Sequence, residues 1–276
     1  MPFARADGRR LDRIQLSQRA PGTFQLLEPF TYLEPGRPEA ERITVRAHDQ
    51  SKPAKGANAT DLASVPPFLW GLISSHGRHT APALLHDQLW WESLNPDPVI
   101  WIEQRRRADA LFRRALREGH TSAVRASLMF GFVSLERYWG PRPWQAILMS
   151  TQIGLGIALV YASVLGLFGW WGFAVALVPV LGALAWRRDV EPMFTLTYLG
   201  VVLAPFALVA IVGQFLLALL EIAGWFLSGS RGPRPRRGPV GLTRQVKVRA
   251  RRRVRDRLTS LTRRRSSEEQ ATKETS

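Results

Sequence analysis

Alternation of apolar and polar positions is partial at the start of the chain, helical periodicity is strong in its middle, and from residue 144 both give way to continuous apolar runs. Residues 23–33, TFQLLEPFTYL, and 42–48, RITVRAH, are β-rich and separated by Pro35, Gly36 and Pro38, which predicts two strands in a hairpin. Residues 1–22 read as a polar segment, and 50–59 as a surface loop that delivers the chain to Thr60. Pro82 suits the first turn of a helix carrying His86 and Asp87, which Asn95-Pro96-Asp97-Pro98 stops. From Ile100 to Glu118, Ala108, Leu111, Phe112, Ala115 and Leu116 share one face, the signature of an amphipathic helix. Asp109 sits one position off that stripe and four before Arg113, the spacing of a surface ion pair. A further helix runs from Ser122 to Trp139, ended by Gly140-Pro141. These elements predict a small α+β domain over 23–143, a β-hairpin plus helices, able to fold independently of the apolar region beyond residue 144.

The 44 residues between Arg142 and Arg187 carry no charge and make about 66 Å of helix, twice a ~30 Å hydrocarbon core, so two spans reversing at Gly169-Trp170-Trp171-Gly172 fit best. Between Glu191 and Arg231, 39 residues carry one charge, Glu221. They make one long tilted span, two short ones, or a re-entrant hairpin around Pro205. Arginines at 137 and 142, at 187 and 188, and beyond 231 flank the two blocks. The tendency of cytoplasmic loops to carry Lys and Arg favours four spans over 144–228, with both termini cytoplasmic, in a plasma (inner) membrane protein.

Charge sharpens the division. Of the formal +16, residues 231–265 contribute +14, from fifteen Lys or Arg and one acid, Asp256. The segment 229–276 therefore reads as a basic, partly disordered cytoplasmic tail. Arg249, Arg251, Arg252, Arg253, Arg255, Arg257, Arg263, Arg264 and Arg265 would face anionic lipid around a helical pattern of Ala250, Val254, Leu258 and Leu261. Nucleic acid competes as a partner, but the tail has no aromatics on which to stack bases. The absence of cysteine excludes disulfides, thiolate zinc sites and cysteine nucleophiles. No apolar core marks the first eighteen residues as a cleavable signal, which predicts that the N-terminal part stays cytoplasmic.

Chemistry-bearing residues concentrate between Thr60 and Trp91. Thr60, Asp61 and Ser64 lead into Pro66-Pro67, a rigid turn, and His86-Asp87 lies within the apolar run ALLHDQLWW, where a charged Asp87 needs a partner or a solvated cavity. Asp61, His86, Asp87 and Asp109 are the candidate cluster, with Thr60, Ser64 and Arg78 as candidate binding residues. One reading gathers the four around a divalent metal that activates water for hydrolysis. The other makes them a polar clasp, with Asp87 on an arginine such as Arg78 or Arg107, inside a module that binds or scaffolds a protein partner at the membrane. No phosphate-binding glycine loop, nucleophile elbow or zinc-spaced pair supports catalysis, so the clasp is preferred.

Residues 25–144 resemble the phage-associated domain of unknown function 1353 family. The resemblance rests on TDLASVP at 60–66 followed by Phe68-Leu69-Trp70, on Gly77-Arg78, on ALLHD at 83–87, on ADALF at 108–112 and on RASLMFGFVSLERYWG at 125–140. It departs at Pro67, where the family has Arg, and after His-Asp, where Leu89-Trp90 replaces a Tyr. The family occurs in tailed phages and prophages, which implies a phage or prophage origin and supplies no activity.

Overall fold

In a computed structural model, which describes residues 2–62 and 77–228, short strands precede a run of helices. The first 62 residues hold five strands: β1 (Phe3–Arg5), β2 (Leu16–Ala20), β3 (Thr23–Leu26), β4 (Phe30–Tyr32) and β5 (Ile43–Val45). The expected polar segment 1–22 thus contains two of them. β1 is too short to show alternation, and its place in the sheet comes from Phe3, whose ring meets Phe30 and Tyr32 at 6.0 and 5.0 Å between centroids. The expected first strand, 23–33, divides into β3 and β4 at Glu28-Pro29, because proline lacks a donor for the ladder. β4 is central in an antiparallel sheet of order β1-β4-β5, with Phe3 opposite Tyr32 and Phe30 opposite Val45. β2 and β3 form a separate ribbon turned by Pro21-Gly22, where Gly22 takes φ +66°.

Six helices come next among the described residues: α1 (Thr80–Glu92), α2 (Pro98–Glu118), α3 (Ala123–Glu136), α4 (Pro143–Val164), α5 (Gly172–Leu184) and α6 (Val190–Leu227). Their starts are local chemistry. Asp97 accepts from the Val99 amide at 2.7 Å with Pro98 in the first turn of α2, Ser122 caps α3, and Pro143 opens α4. The reversal at Gly169–Trp171 separates α4 from α5 as expected. The second apolar block is one continuous helix of 38 residues, and not the two helices of the four-span arrangement. Pro205 and Gly213 are the breakers in mid-block, and neither has a polar turn beside it to satisfy a freed backbone, so the helix continues through both.

Two cores form. One seals the sheet against α1 through Phe3, Leu26, Phe30, Tyr32, Val45, Leu84 and Leu85. The other runs from Ile102, Phe112 and Leu116 of α2 through Ala126, Leu128 and Met129 of α3 to Met149, Ile153, Ala183, Met193 and Leu196 of α4–α6. The compositional break at Trp144 is therefore not a break in packing. Across it α3 and α6 approach closely enough that an added Cβ on Gly131 would lie 2.8 Å from Leu196 Cγ. Two helices, α4 and the one ending at Leu227, are long and apolar enough to cross a membrane.

Candidate functional site

The loop before Thr60 is built on Gln25, which is fully buried, accepts from Arg19 Nε at 2.6 Å and donates to the Asp49 and Asn58 carbonyls at 3.2 and 3.1 Å. Asn58 closes the same loop by donating to the Asp49 carbonyl at 2.8 Å. This pins Thr60 beside β3, where it exchanges backbone hydrogen bonds with Phe24 at 2.8 and 2.9 Å. Leu62, two residues on, is buried at φ +62°, a left-handed conformation that strains a branched residue. Its amide donates to Thr60 Oγ1 at 2.8 Å, and the Thr60 hydroxyl donates to Asp87 Oδ2. Burial, reinforced by the charge of Asp61, pushes the Asp87 carboxyl well above the usual range, against the Thr60 hydrogen bond.

His86, one residue away on α1, belongs to a different group. Its Nε2 lies 2.8 Å from Asp109 Oδ1, and its ring stacks on Phe112 at 4.8 Å. Arg137 Nε donates to Asp109 Oδ2 at 2.7 Å, its Nη1 to Asp189 Oδ1 at 3.0 Å, and its Nη2 to Ser134 Oγ at 3.0 Å. The second Asp189 oxygen accepts from Tyr138 OH and, at 3.0 Å, from Arg106 Nη2. Burial raises the Asp109 carboxyl, but the His86 hydrogen bond and the Arg137 guanidinium outweigh it and leave the acid below its usual range. Burial and the Asp189 hydrogen bond raise Tyr138 to about 12. A chain of polar contacts thus runs from α1 through α2 and α3 to the turn that opens α6.

The four expected residues therefore divide. Asp61 and Asp87 sit with Thr60 at the strained turn, and His86 and Asp109 begin the buried chain. Asp109 is not the surface partner of Arg113. It is fully buried, and Arg113 pairs with Glu191 on α6. Asp87 takes Thr60 where Arg78 or Arg107 was expected; Arg78 is exposed and Arg107 reaches Glu103. Among the described residues no three His, Asp or Glu side chains are grouped so as to hold a metal ion. Ser64, Pro66-Pro67 and the basic tail, with Arg249 to Arg265, lie outside the described residues.

Arg137, Asp189, Arg106 and Tyr138 were not anticipated. Arg105 was not either, although it falls on the apolar face with Ile102, Asp109, Phe112 and Leu116, a spacing that marks buried charge. Its guanidinium is 2% exposed and lies 4.7 Å over the Trp90 ring, and among the described residues its Nε and Nη2 meet no acceptor. A groove between α1 and α2 is lined by Leu89, Glu92, Ser93, Gln104, Arg107, Ala108 and Leu111, and none of the four expected residues reaches it.

Residues 39–133 match the family model Protein of unknown function (DUF1353), about a third of the chain. The match starts after β4 and ends inside α3, narrower than the 25–144 of the sequence resemblance, and it contains Thr60, Asp61, His86, Asp87 and Asp109 but neither Arg137 nor Asp189. Curated proteins and solved structures give no match to this chain.

Proposed function

We propose that this chain is a multi-pass membrane protein whose DUF1353 segment is a binding or scaffolding module held rigidly against the apolar helices. The observation that carries this reading is Asp189, which sits one residue before α6 and accepts from Arg137, Tyr138 and Arg106 of the helices packed on the domain side. A flexible tether needs no buried ionic latch, since taking such charges out of water costs several kcal/mol unless each is matched. The latch supports a module whose orientation to the bilayer matters. The basic tail adds contact with anionic headgroups, and a protein partner takes the exposed face of the module. Phage or prophage origin rests on the family resemblance alone.

The second reading, a metal-dependent hydrolase, draws on Asp61 and Asp87, two carboxyls close enough for one charge to shift the other. The two readings separate in one experiment. The full chain is extracted from membranes with alkaline carbonate, which retains integral proteins, and is then melted in detergent in chelator and in manganese or zinc. The module reading expects retention in the membrane and a melting temperature independent of the ion. A melting temperature that climbs with ion concentration, following RT ln(1 + [L]/Kd) and lost in Asp87→Ala, supports the hydrolase.

A further inference from the structure

We infer that the guanidinium of Arg105 is a buried receptor for the carboxylate of a small ligand, at the place where the C-terminal ends of α1 and α3 meet the first turns of α2. The inference is independent of the membrane reading and of the protein partner proposed above. Arg105 shares the buried stripe of α2 with Trp101, Ile102, Asp109 and Phe112. A long cationic side chain ordinarily carries its charge out to water along its apolar stem, yet this one is 2% exposed. Its guanidinium lies 4.7 Å over the Trp90 ring, which covers one face of the plane. Burial holds it below its usual range, although the carboxylates of Asp109 and Glu136 act in the other direction.

The neighbouring acid is already committed. Asp109, one turn further along α2, has Oδ1 on His86 and Oδ2 on Arg137. Among the described residues Arg105 Nε and Nη2 meet no acceptor, and these two atoms are the parallel donors of one edge, the fork that the two oxygens of a carboxylate match. Trp101 Nε1, one turn earlier on the same stripe, is likewise buried without an acceptor among the described residues. Three donors within one turn of helix call for a group that only accepts, which an ionised carboxylate is. Water would satisfy the N–H groups but leave the buried charge unmatched.

Charge narrows the choice of ligand. Arg137 acts on the site with one sign and Asp109 and Glu136 with the other, so the longer-range field is mixed and the direct contact decides. A carboxylate brings a single negative charge, whereas a phosphate dianion would meet the same two acids with twice the repulsion. Burial sets the size, because only a small acid can bring its carboxylate to so enclosed a guanidinium. Trp90 and Glu136 are half-buried and Gly140 is exposed, which places the rim of the site at the surface. Glycine at 140 also makes room for the Trp101 ring, since an added Cβ there would lie 2.8 Å from it.

The test melts the full chain in detergent at constant ionic strength, with acetate replacing chloride through the millimolar range. The wild-type melting temperature should climb with the logarithm of acetate concentration once that exceeds Kd. Phosphate over the same range should move it less. Arg105→Lys keeps the charge without the paired edge and should weaken acetate binding by about tenfold, the worth of one charge-assisted hydrogen bond. Arg107→Lys, on the exposed side of the same helix, should leave the acetate curve where it was. Trp101→Phe removes one N–H and should shift the curve in the direction of Arg105→Lys, and it supplies the comparison if the lysine variant does not fold. A wild-type melting temperature that ignores acetate overturns the inference, as does a rise merely linear in concentration, the mark of a general salt effect. A curve that Arg105→Lys or Trp101→Phe leaves unmoved places the acetate elsewhere and also overturns it, and phosphate acting as strongly as acetate overturns the assignment to carboxylate.

Discussion

Replacing Asp109 with asparagine tests the buried latch without changing its shape. The wild-type carboxylate is fully buried and accepts from His86 and from Arg137, itself 1% exposed. The substituted amide would still accept one hydrogen bond, but it leaves the Arg137 guanidinium with Asp189 as its remaining carboxylate and presents an N–H donor to a buried cation. Removing one member of a buried pair costs about 3–5 kcal/mol, and the retained Asp189 and Ser134 contacts hold this case near the lower end, about 3 kcal/mol. At roughly 2–4 °C per kcal/mol for a chain of this size, the melting temperature in detergent, followed by tryptophan fluorescence, falls by about 6–12 °C. Combining Asp109→Asn with Arg137→Met isolates the pair, and the double variant should be more stable than the sum of the single losses allows, by about 1–3 kcal/mol. A single-variant shift below about 2 °C, or strict additivity, refutes the claim that these charges hold the helices together.

The strained turn has a pH signature. With the Asp87 carboxyl raised, the native state holds a proton that the unfolded state releases above its ordinary value of about 4, so stability falls as pH rises from there through the native value. Asp87→Asn removes that slope and gains relative stability with rising pH, as thermal melts across pH 4–8 would show, whereas Asp87→Ala loses the Thr60 hydrogen bond and is destabilised throughout. Gly131→Ala brings a Cβ to 2.8 Å from Leu196 and costs about 1–3 kcal/mol, while Gly213→Ala, with nothing within 4 Å, leaves the melting temperature unchanged or higher. Residues 1–140 expressed alone lack Met149, Ile153, Ala183, Met193 and Leu196 from the shared core, and aggregate without a cooperative transition in the absence of detergent. A cooperative melt of that fragment would restore the independent domain that composition suggests.

The sequence foretold the elements better than their partnerships. Periodicity located α2, Pro82 and Ser122 fell at helix starts, and Asn95-Pro96-Asp97-Pro98, read as the stop of α1, also opens α2, because those signals act within one or two turns. Of the three-residue strands, β5 fell inside the expected 42–48, whereas β4 was merged with β3 and β1 was missed, because the place of β1 comes from a distant neighbour, Phe3 on Tyr32. The site divided along the same line. Thr60, Asp61, His86 and Asp87 stood out as polar residues among apolar ones, but whether Asp109 faced solvent or core turned on Arg137, 28 residues away, and Asp189, next to Arg187 and Arg188, was not singled out. Arg105 and Asp109, four apart on the buried stripe, were the one local clue to an interior ionic group.

Hydrogen exchange on the full chain in lipid nanodiscs tests most directly whether the module and α6 are one body. In the wild type, amides of α3 and of residues 190–203 should be protected together, and Asp189→Asn, which alters only the turn before α6, should accelerate exchange in α2 and α3 as well as in α6. Faster exchange confined to α6, with α2 and α3 as protected as before, would contradict the latch.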